Sequence, residues 1–283
     1  MGEKISNALI GLTSEPLEFS WQEKDVQLYA LAVGCKPEND LDFIYEARGP
    51  KVLPTYSVIP SLNVMGSVMS KVQFNLAMLL HGEQKISLHR AIPAKGKAVG
   101  RGKIVEVWDK GKAAVIGVEC SVEDEKGPLY TTHATLFIRG AGGFGGERGP
   151  SSKSAEILIP DRDPDHVVED VTRAEQAALY RLTGDRNPIH IDPNFAKFGG
   201  FEKPFLHGLC TYGFAGRAAL SALCGGNPER FKSMSGRFSD QVYMGDSIIS
   251  KIWEEGDGSA VMQVETQKGN VVLNQCRIGY DVA

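Results

Sequence analysis

A short set of landmark residues recurs in order along this 283-residue chain, and that recurrence limits the fold more than any other feature. Leu28-Tyr29-Ala30-Leu31 is answered by Leu179-Tyr180-Arg181-Leu182, and His81-Gly82 by His207-Gly208. Arg90, Gly96, Trp108 and Gly111 are answered by Arg237, Gly245, Trp253 and Gly256, with offsets near 150 after the His-Gly pair. Self-similarity of this length implies two copies of one strand-helix-strands unit, and an open sheet edge on one copy is best covered by the edge of the other. The run Gly140 to Gly146 and Pro150-Ser151-Ser152 read as the linker. The expected division is therefore 1–140, a linker at 141–160, and 161–283, with about 25 extra residues in the first half between its Leu-Tyr and its His-Gly.

Local signals fill in the units. A first element is expected at Glu23 to Ala32, then an apolar, Met-rich stretch around Val64, Met65, Val68, Met69 and Met78. Strands follow at Lys85 to His89, Ala98 to Trp108, Ala113 to Val122 and Tyr130 to Arg139, with turns at Asp109-Lys110-Gly111 and Glu125-Lys126-Gly127. In the second half, Leu206 to Leu220 is apolar on nearly every face, the composition of a buried helix. Pro204 suits its start, which puts His207-Gly208 in the first turn.

Between these landmarks lies Gly184-Asp185-Arg186-Asn187-Pro188-Ile189-His190, with an acid, an amide and an imidazole in six residues. Gly184 permits a tight backbone and Pro188 pushes Asn187 out of the helical region, so a fixed loop is expected, converging Asp185, Asn187 and His190 on one point. An Asp/His pair beside the unpaired N–H groups of a helix start suits a carbonyl compound whose oxygen gains negative charge during reaction. Taken singly, Asp185 reads equally as a turn aspartate and His190 as a satisfied loop histidine. A metal set of Asp185, His190, Asp192 and His207 has no recognised ligand spacing, so no metal is expected.

Tyr180, Leu182, Thr183, Gly184, Asp185, Asn187, Pro188, Ile189, His190 and Ala196 together resemble the signature of the (R)-specific 2-enoyl-CoA hydratases of the MaoC-like group, which includes the hydratase domain of peroxisomal multifunctional enzyme type 2. The resemblance implies an α+β double hot-dog fold, two curved antiparallel sheets each around a central helix, with one active site per chain. The first half has Gly34-Cys35-Lys36-Pro37-Glu38-Asn39-Asp40 where the second has its loop, and so lacks the histidine. By resemblance, Asp185 and His190 are the acid-base pair, Asn187 orients water, and the Gly208 N–H stabilises the thioester oxygen. His81, Gly82, Lys110, Gly208 and Phe238 match positions that contact acyl-CoA, Lys110 near its phosphates. Arg186, Pro188, Ile189 and His207 are grouped with them, although His207 reads better as a hydrogen-bond partner of the Asp185 loop. Arg237, paired with Arg90 by the repeat, reads as a structural pin, and the methionines as core or as an adaptable lining for a long or branched acyl chain.

Composition removes other classes. The net charge of −4 and the lack of any basic run argue against nucleic acid as a partner, and no apolar run reaches a membrane span. Five cysteines without a C-x-x-C pair point to reduced thiols in an intracellular compartment. Gly142 to Gly146 lacks the strand and helix of a dinucleotide site, so no organic cofactor is expected. The leading expectation is reversible hydration of trans-2-enoyl-CoA to (R)-3-hydroxyacyl-CoA. The alternatives are the 3-hydroxyacyl-thioester dehydratase of fatty-acid or polyketide synthesis, and a non-catalytic acyl-thioester-binding module. The resemblance further implies a homodimer, relatives in which the unit is one domain of a multifunctional protein, and a peroxisomal setting in a eukaryote or a cytoplasmic one in a bacterium.

Overall fold

The computed structural model describes residues 2–150 and 156–282; Met1, Ala283 and the centre of the expected linker, with Ser151-Ser152, lie outside the described residues. The first half runs β1 (Leu17–Trp21), α1 (Glu23–Ala32), α2 (Leu41–Ile44), α3 (Val58–Met69), β2 (Leu79–Leu88), β3 (Gly96–Asp109), β4 (Ala113–Asp124) and β5 (Gly127–Arg139). The second runs β6 (His166–Val171), α4 (Gln176–Arg181), α5 (Pro193–Phe198), α6 (Gly208–Cys224), β7 (Phe231–Phe238), β8 (Ser247–Gly256), β9 (Ser259–Glu265) and β10 (Val271–Tyr280). All described strands form one antiparallel sheet in the order β1-β3-β4-β5-β2-β7-β10-β9-β8-β6. Read outward from the middle, the two halves have the same strand order, which is the repeat made visible.

The halves join where β2 pairs with β7, Glu83–Ser87 against Arg237–Ser233. This pairing removes both inner edges. Leu79–His81 of β2 pair only with β5, so the sheet parts at that end. The gap becomes part of the site.

Each half wraps a helix. Of the seventeen residues of α6, thirteen are buried, as its all-round apolar composition requires. Gly213 and Gly216 let the first half come close: a Cβ on Gly213 would lie 2.4 Å from Val33 Cγ1, and one on Gly216 2.4 Å from Thr55 Cγ2. Helix α3 lies over β3, Val64 and Val68 filling the space left by Gly100 and Gly102.

The structure corrects three expectations. His81-Gly82 sits in strand β2, whereas His207-Gly208 sits at the start of α6, so the two pairs are not equivalent. The equivalent helices begin 30 residues after Leu28 (Val58) and 29 after Leu179 (Gly208), so the supposed insertion of about 25 residues does not exist. Nor does Pro204 start α6; the chain there stays irregular, Leu206 N–H binding the Val242 carbonyl, and His207 is the N-cap. The glycine run after β5 docks on the sheet. Its Gly143 and Gly145 N–H groups, with Gly111 N–H, bind the Asp109 carboxylate at 2.8, 2.9 and 2.8 Å and hold its pKa below the usual carboxylate value.

Candidate active site

The loop after α4 is built by short-range bonds. Gly184 takes φ +147, a region that strains other residues. Asn187 has φ −55 and ψ 121, as Pro188 demands, and its Oδ1 accepts from the Ile189 N–H at 3.2 Å, capping the 3-10 turn Pro188–His190. Asp185 Oδ1 accepts from the Asn187 N–H at 3.2 Å.

His190, 8 % exposed, donates from Nδ1 to the Phe205 carbonyl at 2.9 Å. A carbonyl can only accept, so Nε2 is left with its lone pair. His207 is fully buried behind it, ring centroids 4.0 Å apart, and donates from Nε2 to the Asp185 carbonyl at 3.1 Å. Tyr180 closes the far side of His207 at 4.9 Å. Burial first, then the His207 ring, holds His190 far below the ordinary imidazole pKa, while Asp185 pulls weakly the other way. Burial holds His207 down to about 3. At neutral pH both rings are uncharged, and His190 keeps an unprotonated Nε2.

Asp185, Asn187, Ile189, His190 and Gly208 share the wall of a cleft of about 1520 Å³. Gly208 opens α6, and its N–H has no intrahelical acceptor. A Cβ there would lie 3.1 Å from the Phe238 ring, so a side chain would close the approach to that N–H. Asp185, His190 and His207 each place a ligand-type atom within 4.8 Å of the others. His207 Nε2 and His190 Nδ1 are both spent on carbonyls, which leaves one lone-pair nitrogen on each ring, His207 Nδ1 and His190 Nε2.

Residues 19–140 match the family described as the MFE-2 hydratase 2 N-terminal domain, and 156–275 the MaoC like domain. The chain is 41% identical over 270 residues to the probable enoyl-CoA hydratase 2 of Dictyostelium discoideum, covering 92% of this chain and 91% of the relative. The chain belongs to the MaoC-like hydratase family. It is also 38% identical to the peroxisomal multifunctional enzyme type 2 of Mus musculus over 92% of this chain, but spans only 36% of that protein. A crystal structure of a MaoC-like dehydratase from Phytophthora capsici superposes with a TM-score of 0.85 at 32% identity, covering 98% of each chain. A Mycobacterium tuberculosis protein described as a double hotdog fold superposes over 99% of this chain and 98% of its own at 0.62 with 13% identity, a likeness of fold alone. The double hot-dog architecture therefore stands.

In this MaoC-like cleft the structure places His81, Gly82, Lys110 and Phe238 on the wall beside the loop residues. His81 stands 5.3 Å from Phe238, edge to face, and burial holds its pKa down to about 4. Lys110 Nζ donates to the Pro150 carbonyl at 3.0 Å. Three expected contacts are not brought to the wall: His207 lies behind His190, Arg186 points to solvent, and Pro188 serves the turn. Sequence reading missed Glu83, whose Oε1 accepts from Arg237 Nε at 2.7 Å on the cleft wall. Arg237 is thus a rim residue, whereas Arg90 pairs with Asp124 at the β4–β5 turn. Only the β2–β7 pairing puts Glu83 opposite Arg237, so no local signal marks Glu83 or its pairing.

Proposed function

We propose that this chain catalyses the reversible hydration of trans-2-enoyl-CoA to (R)-3-hydroxyacyl-CoA in fatty-acid β-oxidation, acting as a hydro-lyase. The observation that carries the reading is the convergence of Asp185 and His190 on the cleft wall, beside the free N–H of Gly208. The relatives named enoyl-CoA hydratase 2 support the same reaction. Water held between Asp185 and His190 loses a proton to the pair while its oxygen bonds to C3. The C2–C3 π electrons move toward the thioester carbonyl, whose oxygen gains negative charge and is held by Gly208 N–H. The pair then returns a proton to C2, which restores the carbonyl and leaves one added water. One water is all the reaction consumes, since the proton taken from it is matched by the one returned to C2, so no organic cofactor or metal is assigned. The reverse direction, dehydration, uses the same groups, and a relative from Mycobacterium tuberculosis, 41% identical over 96% of this chain and 97% of its own length, is named 3-hydroxyacyl-thioester dehydratase Y.

The test follows loss of the enoyl chromophore with trans-2-decenoyl-CoA and analyses the product on a chiral phase. Asp185→Asn and His190→Gln should each lower kcat by roughly 10²–10⁴-fold while leaving the melting temperature near that of the parent. Release of free thiol without hydration would sink the reading in favour of thioester hydrolysis; tight binding without turnover would favour a binding module. Two relatives named as peroxisomal support that setting if the source is a eukaryote; a cytoplasmic setting if it is bacterial belongs to the same reading. A homodimer belongs to the same reading, with light scattering as its check. Among the described residues no helix is long and apolar enough to cross a membrane.

A further inference from the structure

The apolar arm of the cleft is walled by α3, and one residue of that wall has no structural reason to be what it is. Leu62, Met65, Gly66, Met69 and Ser70 share the cleft face of the helix at the spacing of a single helical stripe, while Val64 and Val68 pack the other way. Glycine is unfavourable inside a helix, because it gives up the most backbone freedom. Gly213 and Gly216 of α6 are explained by close contacts, but a Cβ on Gly66 would meet nothing within 4 Å, and its φ is ordinary. Gly66 is exposed, its neighbours Leu62 and Met65 are half-buried, and Leu76 on the same wall is 57 % exposed. The arm is therefore open to solvent at α3, and it is open where residue 66 lacks a side chain.

We propose that Gly66 sets the upper size limit on the acyl group, by keeping this arm open-ended so that a long or branched chain passes beyond α3 instead of stopping against a wall. This rests on the hydratase reading above. The substrate class it selects is the 2-enoyl thioester of a long or branched acid, with Met65 and Met69 conforming to the chain. A broken local rule with no packing benefit is what a size-setting position looks like.

The experiment compares the full chain with Gly66→Ala and Gly66→Phe, measuring kcat/KM for trans-2-butenoyl-, decenoyl- and hexadecenoyl-CoA, together with the melting temperature. The parent hydrates hexadecenoyl-CoA. Gly66→Phe lowers the hexadecenoyl-to-butenoyl ratio of kcat/KM by about tenfold or more, Gly66→Ala moves it far less, and neither variant melts below the parent. A ratio unchanged in Gly66→Phe overturns the proposal, as does a parallel fall for all substrates with a lowered melting temperature. A parent that hydrates butenoyl- but not hexadecenoyl-CoA overturns it too, while sparing the hydratase reading. A parent that hydrates none of the three sinks that reading instead.

Discussion

His207 separates what a residue does from where a motif suggests it acts. The family signature groups it with substrate contacts, yet it is fully buried and, as its reading as a hydrogen-bond partner of the Asp185 loop expects, touches the site through others, holding the Asp185 carbonyl and backing the His190 ring. Replacing it with Ala should lower kcat by about tenfold or more with little change in KM, because the donors and bases are misplaced while the cleft wall is intact. His207→Gln, which keeps an N–H, should recover part of that loss. A rise in KM at constant kcat would instead make His207 a substrate contact. Asp185, Asn187 and His190 were legible because their loop is made by neighbours in sequence: a glycine with positive φ, an Asn cap and a proline. Arg186 was not, because which way a loop side chain points depends on what the loop packs against.

At the scale of elements, the bounds of α1 match the expectation to the residue and those of β3, β4 and β5 within three residues, since alternation and turn glycines are local signals, whereas β2 starts six residues before the expected Lys85. The start of α6 was misplaced for a physical reason: Pro204 fits a helix start, but Leu206 N–H is drawn to the Val242 carbonyl and delays it. Helix α6 depends on Gly213 where the C-terminal end of α1 meets it. Gly213→Ala forces a Cβ against Val33 and the Tyr29 hydroxyl, and should destabilise by about 1–3 kcal/mol, read as a lower urea midpoint at constant m. Gly225→Ala tests a different cost, because this C-cap sits at φ +60 with open space around it. It should lose only about 1 kcal/mol. Equal losses at both positions would mean that crowding at Val33 is relieved by small shifts.

Over the whole molecule, the halves are held by the β2–β7 pairing and by Arg217. Its side chain is 11 % exposed; the guanidinium pairs with Asp170 of β6 and, at 3.5 Å, with Asp40, while Nε donates to the Val33 carbonyl at 3.2 Å. In the first half, the loop that lacks the histidine thus gives its Asp40 to an ion-pair cluster. Folding also buries neutral imidazoles, which links stability to pH. Unfolded histidine titrates near pH 6.5, whereas burial holds His207 down to about 3 and His81 to about 4. Between those values the unfolded state binds more protons than the folded one, so stability falls as pH drops through about 6 toward 4, on the order of 1–2 kcal/mol per imidazole by pH 5. Melting temperatures at pH 7.5 and 5 check this, and His81→Gln should flatten the slope; an unchanged slope would place the acid sensitivity elsewhere. The sequence by itself determined the repeat, the hairpins and the Asp185–His190 loop, because each is encoded by residues close in the chain. Only the tertiary structure decided that His81-Gly82 belongs to a strand, that His207 stands behind the site, that Glu83 meets Arg237 and that Gly66 opens the cleft, because each depends on which surfaces meet when two sheets share an edge.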